Sequence, residues 1–221
     1  MSFRPPLHHV FVTGASGFLG RSLSAALIDH GHTVHGLTRA SSSQLHAGVH
    51  VVVGDALSAA SYTGSVPPAD TVVHLVGTPK PDPSKTTEFH AVDLASLDAA
   101  LIAAHTAGVK HFVYVSVAQP APVMRAYVEA RKVGETMIRN SGLNATILRP
   151  WYVIGPGRRW PLMFQPLYRI AAYVPTWRET AQRLGLVTLE QMTEALVHAV
   201  EHPALGVRVV EVPTIRSPVP D

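Results

Sequence analysis

Apolar residues along the chain fall into two patterns, short continuous runs and longer stretches with helical spacing. The stretches with helical spacing cover residues 18–30, 86–107 and 123–140, and each of them predicts a helix. Thr188 and Gln191 have the spacing of a capping box, which predicts a further helix that ends near Glu201. The short apolar runs predict β-strands at residues 8–13, 33–37, 49–53, 71–76, 111–115, 145–148 and 207–212.

Strands that alternate with helices in this way are typical of a parallel sheet covered by helices on both faces. We therefore predict a single α/β domain over residues 1–221, with a doubly wound, Rossmann-type parallel sheet of about seven strands. The run at residues 49–53 is largely apolar, as expected of a parallel strand that is buried on both faces. Sheets of this kind bind their ligands at the carboxyl ends of the strands.

Residues 150–185 interrupt the alternation and are rich in proline and aromatic residues. We predict that they form an insertion near the active face, within a small C-terminal substrate lobe. Three interpretations of the aromatic side chains stay open. They close the C-terminal part of the core, they line an apolar substrate pocket, or they dock on a membrane surface or a partner.

Three glycines mark the turn between the first predicted strand and the first predicted helix, in the segment TGASGFLG at residues 13–20. Glycines at such a turn let the backbone approach a pyrophosphate without the obstruction of a Cβ atom. The helix that follows presents free N–H groups and its positive dipole end to the same anion. We therefore predict that a dinucleotide binds at Gly14, Ala15, Ser16, Gly17, Phe18, Leu19 and Gly20.

The end of the second strand distinguishes NADP from NAD in folds of this type. A carboxylate there binds the ribose 2′-hydroxyl, whereas an arginine binds the 2′-phosphate. Arg39 follows the second predicted strand with no acidic residue near it, and Arg21 can add a second positive charge. The predicted cofactor is therefore NADP, with NAD as the alternative. Further cofactor contacts are predicted beside the adenine for Asp55 and Ala56, and at the end of the fourth strand for Leu75, Val76 and Gly77.

Six segments of the chain together resemble the short-chain dehydrogenase/reductase superfamily. They are TGASGFLG at 13–20, LTR at 37–39, GDAL at 54–57, HLVG at 74–77, YVSV at 114–117 and ILRPWYVIGPG at 147–157. The resemblance covers essentially the whole chain and is best to the atypical branch, which is related to epimerase/dehydratase-like members and similar to complex I accessory-subunit-like members. It implies NAD(P) binding, with Pro150, Trp151 and Val153 near the nicotinamide.

The resemblance also implies a catalytic set. Ser116 corresponds to the residue that polarises the substrate, and Tyr127 corresponds to the acid/base, which the superfamily follows with a lysine four residues later. Arg131 stands at the lysine position here, and Lys132 is one residue late. Residues i and i+4 share a helix face, whereas residue i+5 points about 140° away. We therefore expect that Arg131, and not Lys132, faces the site with Tyr127 and contacts the cofactor there.

Two interpretations of this set stay open. In the first, the protein is an NADP-dependent oxidoreductase that acts on a small, apolar carbonyl or alcohol. Tyr127 then moves the proton, Ser116 orients the substrate and Arg131 gives electrostatic support. In the second, the protein binds NAD(P) without turnover, as a sensor or as an accessory or assembly protein, and Tyr127 only packs or contacts the ribose.

Composition and charge narrow the remaining function classes. The chain has no cysteine, which excludes disulfides, thiolate nucleophiles and cysteine-ligated zinc. Its formal net charge of +3 comes without a basic run, so we predict no nucleic-acid binding. His198 and His202 lie one helical turn apart, but the sequence offers them no evident third ligand, and we predict no metal site. His74, within an apolar strand, is predicted to be a hydrogen-bonded core residue.

The expected location is the cytoplasm. No window approaches ~20 uninterrupted apolar residues, and the N-terminal residues lack the pattern of a signal peptide. Peripheral contact with a membrane is left open. The expected partner is a small-molecule substrate, and the resemblance implies a possible homodimer through the helices predicted at 86–107 and 123–140.

Overall fold

The computed structural model describes residues 6–41, 45–78, 86–121, 124–156 and 184–217. The strands are β1 His9–Thr13, β2 Thr33–Thr38, β3 His50–Val53, β4 Thr71–His74, β5 His111–Val115, β6 Asn144–Arg149, β7 Tyr152–Ile154, β8 Leu186–Thr188 and β9 Val207–Glu211. The helices are α1 Phe18–Asp29, α2 over residues 86–106, α3 Arg125–Ser141, α4 Leu189–Glu201 and α5 Val212–Arg216. Helix α2 has three consecutive parts, which are an α-helical turn Thr86–Glu88, a π-helical segment Phe89–Leu94 and an α-helix Ala95–Thr106.

Seven parallel strands form the main sheet in the order β3-β2-β1-β4-β5-β6-β9. The chain runs outward from β1 to β3 and then crosses to β4 on the other side of β1. The strand order therefore reverses between β1 and β4, and such a switch point leaves a crevice at the carboxyl ends of the two strands. This topology confirms the predicted doubly wound fold. Strands β7 and β8 form a separate two-stranded sheet, which the sequence pattern did not predict.

The main sheet separates two hydrophobic cores, because successive side chains of a strand point to opposite faces. Val12 of β1 belongs to one core, together with Leu23 of α1 and Leu196 of α4. Its neighbour Phe11 belongs to the other core, together with Leu97 of α2. Helices therefore cover both faces of the sheet, and the carboxyl edge of the strands lies between the two helical layers.

The prediction that the third strand is buried on both faces is wrong. Strand β3 is the edge strand of the sheet, and the side chains of Val51 and Val53 are 43% and 53% exposed. An apolar run identifies a strand, but it does not tell where the strand lies in the sheet. The order of the strands decides that, and here it places β3 at the outside.

Two predictions about single residues or short motifs are confirmed, namely the capping box at the start of α4 and the core position of His74. The capping box that begins α4 has both of its bonds, since the Gln191 N–H donates to Thr188 Oγ1 over 3.1 Å and the Thr188 N–H donates to Gln191 Oε1 over 3.0 Å. His74 is a hydrogen-bonded core residue as predicted, with its Nδ1 2.9 Å from Thr13 Oγ1.

The predicted insertion at 150–185 falls largely outside the described residues, which resume at Leu184 after residue 156. Its role as a substrate lobe stays a prediction. In the part of the chain that the structure describes, no helix is long and apolar enough to span a membrane.

Candidate functional site

The glycine-rich turn lies at the carboxyl end of β1 and leads into α1. Gly14 has a φ of +74°, and a Cβ atom there would lie 3.0 Å from the carbonyl carbon of Leu75, at the end of β4. A Cβ atom at Gly20 would collide with the carbonyl oxygen of Gly14. Within the described residues, no side chain caps the start of α1, where Gly17 precedes Phe18. The first N–H groups of α1 are therefore left for an anion, as a pyrophosphate requires.

Two basic residues flank this turn in different ways. Arg39 follows β2 and is exposed at the carboxyl edge of the sheet. Arg21 lies in the first turns of α1, and its Nη1 donates to the carbonyl oxygen of Ser16 over 2.8 Å. Arg21 therefore holds the glycine-rich turn in place, whereas Arg39 presents its charge to solvent beside the predicted adenosine site.

Asp55 follows β3 in a tight turn that continues through Ala56. Its Oδ1 accepts the Leu57 N–H over 3.0 Å, and its own N–H donates to Ser61 Oγ over 3.0 Å. The carboxylate is exposed at the carboxyl edge of the sheet. Its contact with an adenine stays a prediction.

The end of β4 carries a buried ion pair that the sequence did not reveal. Asp93 Oδ1 lies 3.4 Å from Arg131 Nη2, and it accepts the Thr78 N–H over 2.6 Å. A Cβ atom at Gly77 would lie 2.5 Å from Arg131 Nη2 and 2.7 Å from Asp93 Oδ1. Gly77 therefore leaves the space that the ion pair fills, next to the half-buried Leu75 and Val76 that border the glycine-rich turn.

Arg131 faces Tyr127, as the helical spacing predicts. The central carbon of its guanidinium lies 5.1 Å from the centroid of the Tyr127 ring. Its Nη1 donates to the Tyr114 hydroxyl over 3.0 Å and to the Val115 carbonyl oxygen over 3.2 Å. Lys132 instead lies exposed and pairs with Glu129. The site on this face of α3 therefore contains an arginine where the superfamily has a lysine.

The guanidinium of Arg131 stays ionised although it is buried, with Asp93 as its counter-charge. Burial acts to lower the pKa of Arg131, but the facing Tyr114, Tyr127 and Asp93 outweigh it and raise the pKa above its ordinary value. Burial has the main effect on Tyr114 and raises its pKa, although the neighbouring guanidinium opposes this. The site therefore holds a permanent positive charge beside the Tyr127 ring.

The π-helical segment of α2 supplies two of the contacts to this cluster. Phe89 packs edge-on against Tyr127, with ring centroids 5.3 Å apart, and Asp93 pairs with Arg131. A π-helical turn inside a longer helix changes which side chains share a face, and such turns are frequent at functional sites. The apolar spacing of residues 86–107 predicted a plain helix, so neither contact could be found from it.

Ser116 belongs to a second buried network, behind the end of β5. Its hydroxyl donates to Glu135 Oε1 over 2.6 Å, and Gln119 Nε2 donates to the same oxygen over 2.6 Å. Arg149 donates to both carboxylate oxygens of Glu135 and also reaches Glu211. The hydrogen bond from Arg149 to Glu135 is the main cause of a raised pKa of Arg149. Ser116 is therefore oriented by Glu135, a role that the sequence did not reveal.

The predicted nicotinamide contacts after β6 lie beside this second network. The buried Pro150 accepts the Ala118 N–H with its carbonyl oxygen over 2.9 Å, which joins the ends of β5 and β6. Trp151 packs edge-on against Tyr152, with ring centroids 5.4 Å apart. Val153 lies in β7 and is half-buried. The structure thus brings this segment to the edge that carries Ser116.

Three buried polar atoms at the end of β4 indicate where a ligand fits. Thr78 Oγ1, Asp93 Oδ2 and Arg131 Nε have no hydrogen-bond partner among the described residues. Leaving a buried polar atom unpaired costs about 1–3 kcal/mol, so a polar ligand at this edge would stabilise the site. A hydroxyl, a carboxylate oxygen and an N–H donor suit the hydroxyl groups of a ribose. The residues present therefore fit a dinucleotide that extends from the glycine-rich turn to Tyr127.

Comparison with known sequences gives matches over most of the chain. A family model described as NAD(P)H-binding matches residues 14–158. The ceramide reductase of Caulobacter vibrioides is 30% identical over an alignment of 203 residues, and the match covers 89% of this chain and 62% of that protein. A 3 beta-hydroxysteroid dehydrogenase/Delta 5→4-isomerase of Mycobacterium tuberculosis is 33% identical over an alignment of 123 residues, and the match covers 52% of this chain and 33% of that protein. The chain therefore spans less than two thirds of the length of either relative.

Comparison with solved structures gives matches over nearly the whole chain. The Bordetella bronchiseptica enzyme WbmH, solved in complex with NAD+, matches with a TM-score of 0.70 at 21% identity. The match covers 93% of this chain and 75% of the WbmH chain. MoeE5, solved with UDP-glucose and NAD, matches with a TM-score of 0.71 at 23% identity. The match covers 94% of this chain and 79% of the MoeE5 chain. At such identities the likeness shows a shared fold, in agreement with the parallel seven-stranded sheet.

Proposed function

The chain belongs to the NAD(P)H-binding family, within the short-chain dehydrogenase/reductase superfamily, and from this premise we propose that it is an NADP-dependent oxidoreductase acting on a small, apolar carbonyl or alcohol. Apolar substrates are supported by the names of two relatives, which refer to a ceramide and to a hydroxysteroid.

The observation that carries the proposal is the pairing of Tyr127 with the buried guanidinium of Arg131, whose central carbon is 5.1 Å from the ring centroid. The guanidinium is a fixed positive charge that packs over the phenol ring and holds the ring at this edge of the sheet. Tyr127 gives its proton to the oxygen of a carbonyl substrate in reduction, and takes the proton of a hydroxyl in oxidation. A nicotinamide cofactor, when bound, would supply the hydride in reduction and accept it in oxidation.

NADP is favoured over NAD by the charge at the end of β2. Arg39 is exposed there, and the chain has no acidic residue between Asp29 and Asp55 that would take a ribose 2′-hydroxyl in its place. Its guanidinium would hold the 2′-phosphate of NADP. Arg131 Nε and the residues at the end of β4 would hold the other ribose.

A second candidate, NAD(P) binding without turnover, is favoured by the bond that Ser116 makes. Its hydroxyl proton is donated to Glu135 Oε1 over 2.6 Å, so Ser116 does not offer that proton to a substrate carbonyl. A sensor or accessory protein needs the cofactor site and not this donor. The two candidates differ in whether the hydroxyl of Tyr127 matters.

The test compares Tyr127→Phe with Tyr62→Phe. The Tyr62 hydroxyl is buried and has no partner among the described residues, so its removal is a matched control. NADPH binding is measured by calorimetry, and turnover by NADPH absorbance with a panel of apolar ketones and aldehydes. We expect both variants to bind NADPH like the parent, and Tyr127→Phe to lose turnover by about 100-fold or more.

Three other outcomes of these measurements would count against the proposed oxidoreductase. Equal turnover in the parent and Tyr127→Phe would refute the role of Tyr127. NADPH binding in a parent that turns over none of the carbonyls would favour the non-catalytic candidate. Failure to bind NADP, NADPH, NAD or NADH would refute both candidates.

A further inference from the structure

A cluster of two histidines and one glutamate lies at the opposite edge of the sheet from the cofactor site. His30 and His32 flank the turn between α1 and β2, and Glu201 is the last residue of α4. His30 Nδ1 lies 2.9 Å from Glu201 Oε1, and His32 Nε2 lies 3.2 Å from the same oxygen. Two imidazole nitrogens and a carboxylate oxygen thus converge from three side chains, all within 4.8 Å of one another.

We propose that His30, His32 and Glu201 form a binding site for a divalent transition-metal ion, with Zn²⁺ as the ion that this donor set suits best. Zinc binds imidazole nitrogen and carboxylate oxygen at about 2.0–2.2 Å in tetrahedral geometry, which separates its ligand atoms by about 3.3 Å. The observed separations of 2.9 and 3.2 Å from Glu201 Oε1 are close to this value. Solvent completes the fourth position, as in sites with three protein ligands.

The ligands are held in place before any ion binds. The His30 N–H donates to Ala26, the Gly31 N–H to Ile28 and the His32 N–H to Leu27, which fixes the turn. The His32 side chain is fully buried and that of Glu201 is 11% exposed, so neither has to be ordered on binding. The His30 side chain is 51% exposed and leaves an entry path from solvent.

His8 adds an unsatisfied nitrogen beside the cluster. Its ring centroid lies 5.6 Å from that of His32, and its Nδ1 is paired with Asp70 Oδ1 at 3.0 Å. This bond places the ring proton on Nδ1, and the buried Nε2 is left without a partner among the described residues.

Binding carries a cost at both histidines, because the nitrogen that each turns to the acceptor oxygen of Glu201 carries the ring proton. At His32 the His8 N–H donates to Nδ1 over 3.1 Å, which places the ring proton on Nε2. A metal ion needs the lone pair of each facing nitrogen, so the proton has to move to the other nitrogen of the ring, and at His32 the contact with the His8 N–H opens. We therefore expect weaker binding than at a site whose histidines already have the metal-binding tautomer.

The site joins parts of the chain that are far apart in sequence, and it is independent of the proposed function. His30 and Glu201 are separated by 171 positions, so no local spacing motif reveals them. A bound ion would tie the turn after α1 to the end of α4, and would stabilise the folded chain by an amount that grows with the ratio of the free ion concentration to its dissociation constant. Cofactor binding at the other edge of the sheet is expected to be the same with and without the ion.

The test uses the untagged full-length chain, stripped of metal, with Zn²⁺ and Co²⁺ as probes. We expect calorimetry to give one Zn²⁺ per chain, Co²⁺ to give the visible absorption of a tetrahedral complex that Zn²⁺ displaces, and Zn²⁺ to raise the melting temperature. His30→Ala and Glu201→Gln are expected to weaken Zn²⁺ binding by more than about 10-fold, since even outer hydrogen-bond partners have effects of that size.

His50→Ala is the matched control. His50 is an exposed histidine of β3 whose ring lies 5.1 Å from that of His35, the kind of surface pair that binds zinc adventitiously. The proposal predicts unchanged Zn²⁺ affinity in His50→Ala and unchanged NADPH binding in all three variants. Absence of Zn²⁺ binding by the parent would overturn it. So would Zn²⁺ affinities in His30→Ala and Glu201→Gln that equal the parent's, or a loss of affinity confined to His50→Ala.

Discussion

Glu135 is a buried carboxylate of α3 whose replacement by glutamine tests the network behind Ser116. Its Oε1 accepts from Ser116, from Gln119 and from Arg149 Nε at 2.6, 2.6 and 2.8 Å, and its Oε2 accepts from Arg149 Nη2 at 2.5 Å. A glutamine has one acceptor oxygen, which best replaces Oε1. Its NH₂ group then faces Arg149 Nη2, where two donors meet and one charge-assisted bond is lost.

The magnitude follows from these contacts. A hydrogen bond between charged groups contributes about 1.5–3 kcal/mol, and breaking a buried ion pair costs about 3–5 kcal/mol. Arg149 is 19% exposed and keeps Glu211, which places the loss at the lower end of that range. We expect Glu135→Gln to lower the free energy of unfolding by about 3 kcal/mol and the melting temperature by about 6–12 °C.

The assay is urea unfolding followed by circular dichroism, and the control lies on the same helix. Glu129 is 68% exposed and pairs with Lys132 at 3.3 Å, so Glu129→Gln is expected to change the free energy of unfolding by less than about 0.5 kcal/mol. Similar changes in the two variants would refute the arrangement in which Glu135 orients Ser116 and anchors Arg149.

Three further predictions concern the cofactor turn and the buried histidines. Arg39→Ala should weaken NADP binding far more than NAD binding in calorimetry, because its charge faces the 2′-phosphate in the proposed complex, and equal losses would contradict that assignment. Gly20→Ala should lower both the free energy of cofactor binding and the free energy of unfolding, each by about 1–3 kcal/mol, because the added Cβ meets a carbonyl oxygen. In the control Gly64→Ala the added Cβ meets nothing within 4 Å, so neither quantity should fall in this way. Burial is the main cause that lowers the pKa of His74 to about 3 and that of His111 to about 4. Since the unfolded chain takes up these two protons below about pH 6.5 and the folded chain does not, stability in urea should fall by about 3–4 kcal/mol between pH 7 and pH 5, and a flat profile would contradict this.

Features set by neighbouring residues could be predicted from the sequence. The glycine-rich turn depends on three glycines within seven positions, and the capping box of α4 depends on Thr188 and Gln191 alone. The order of strands and helices also implied a doubly wound sheet, because parallel strands need crossover helices. The exposure of β3 could not be predicted, because it depends on which strand ends up at the edge.

For Arg131, the sequence could predict one neighbour but not its counter-charge. Helical geometry could place Arg131 beside Tyr127, because both residues lie on α3 and the spacing fixes their common face. Its counter-charge could not be placed, because Asp93 is 38 positions away and reaches it from a π-helical segment that apolar spacing does not distinguish from an α-helix. Yet that counter-charge decides what Arg131 can do. With Nη1 bonded within the protein and Nη2 paired to Asp93, Nε is the buried nitrogen of the guanidinium left without a partner among the described residues, so the arginine keeps an unused N–H for a cofactor or substrate, together with its charge.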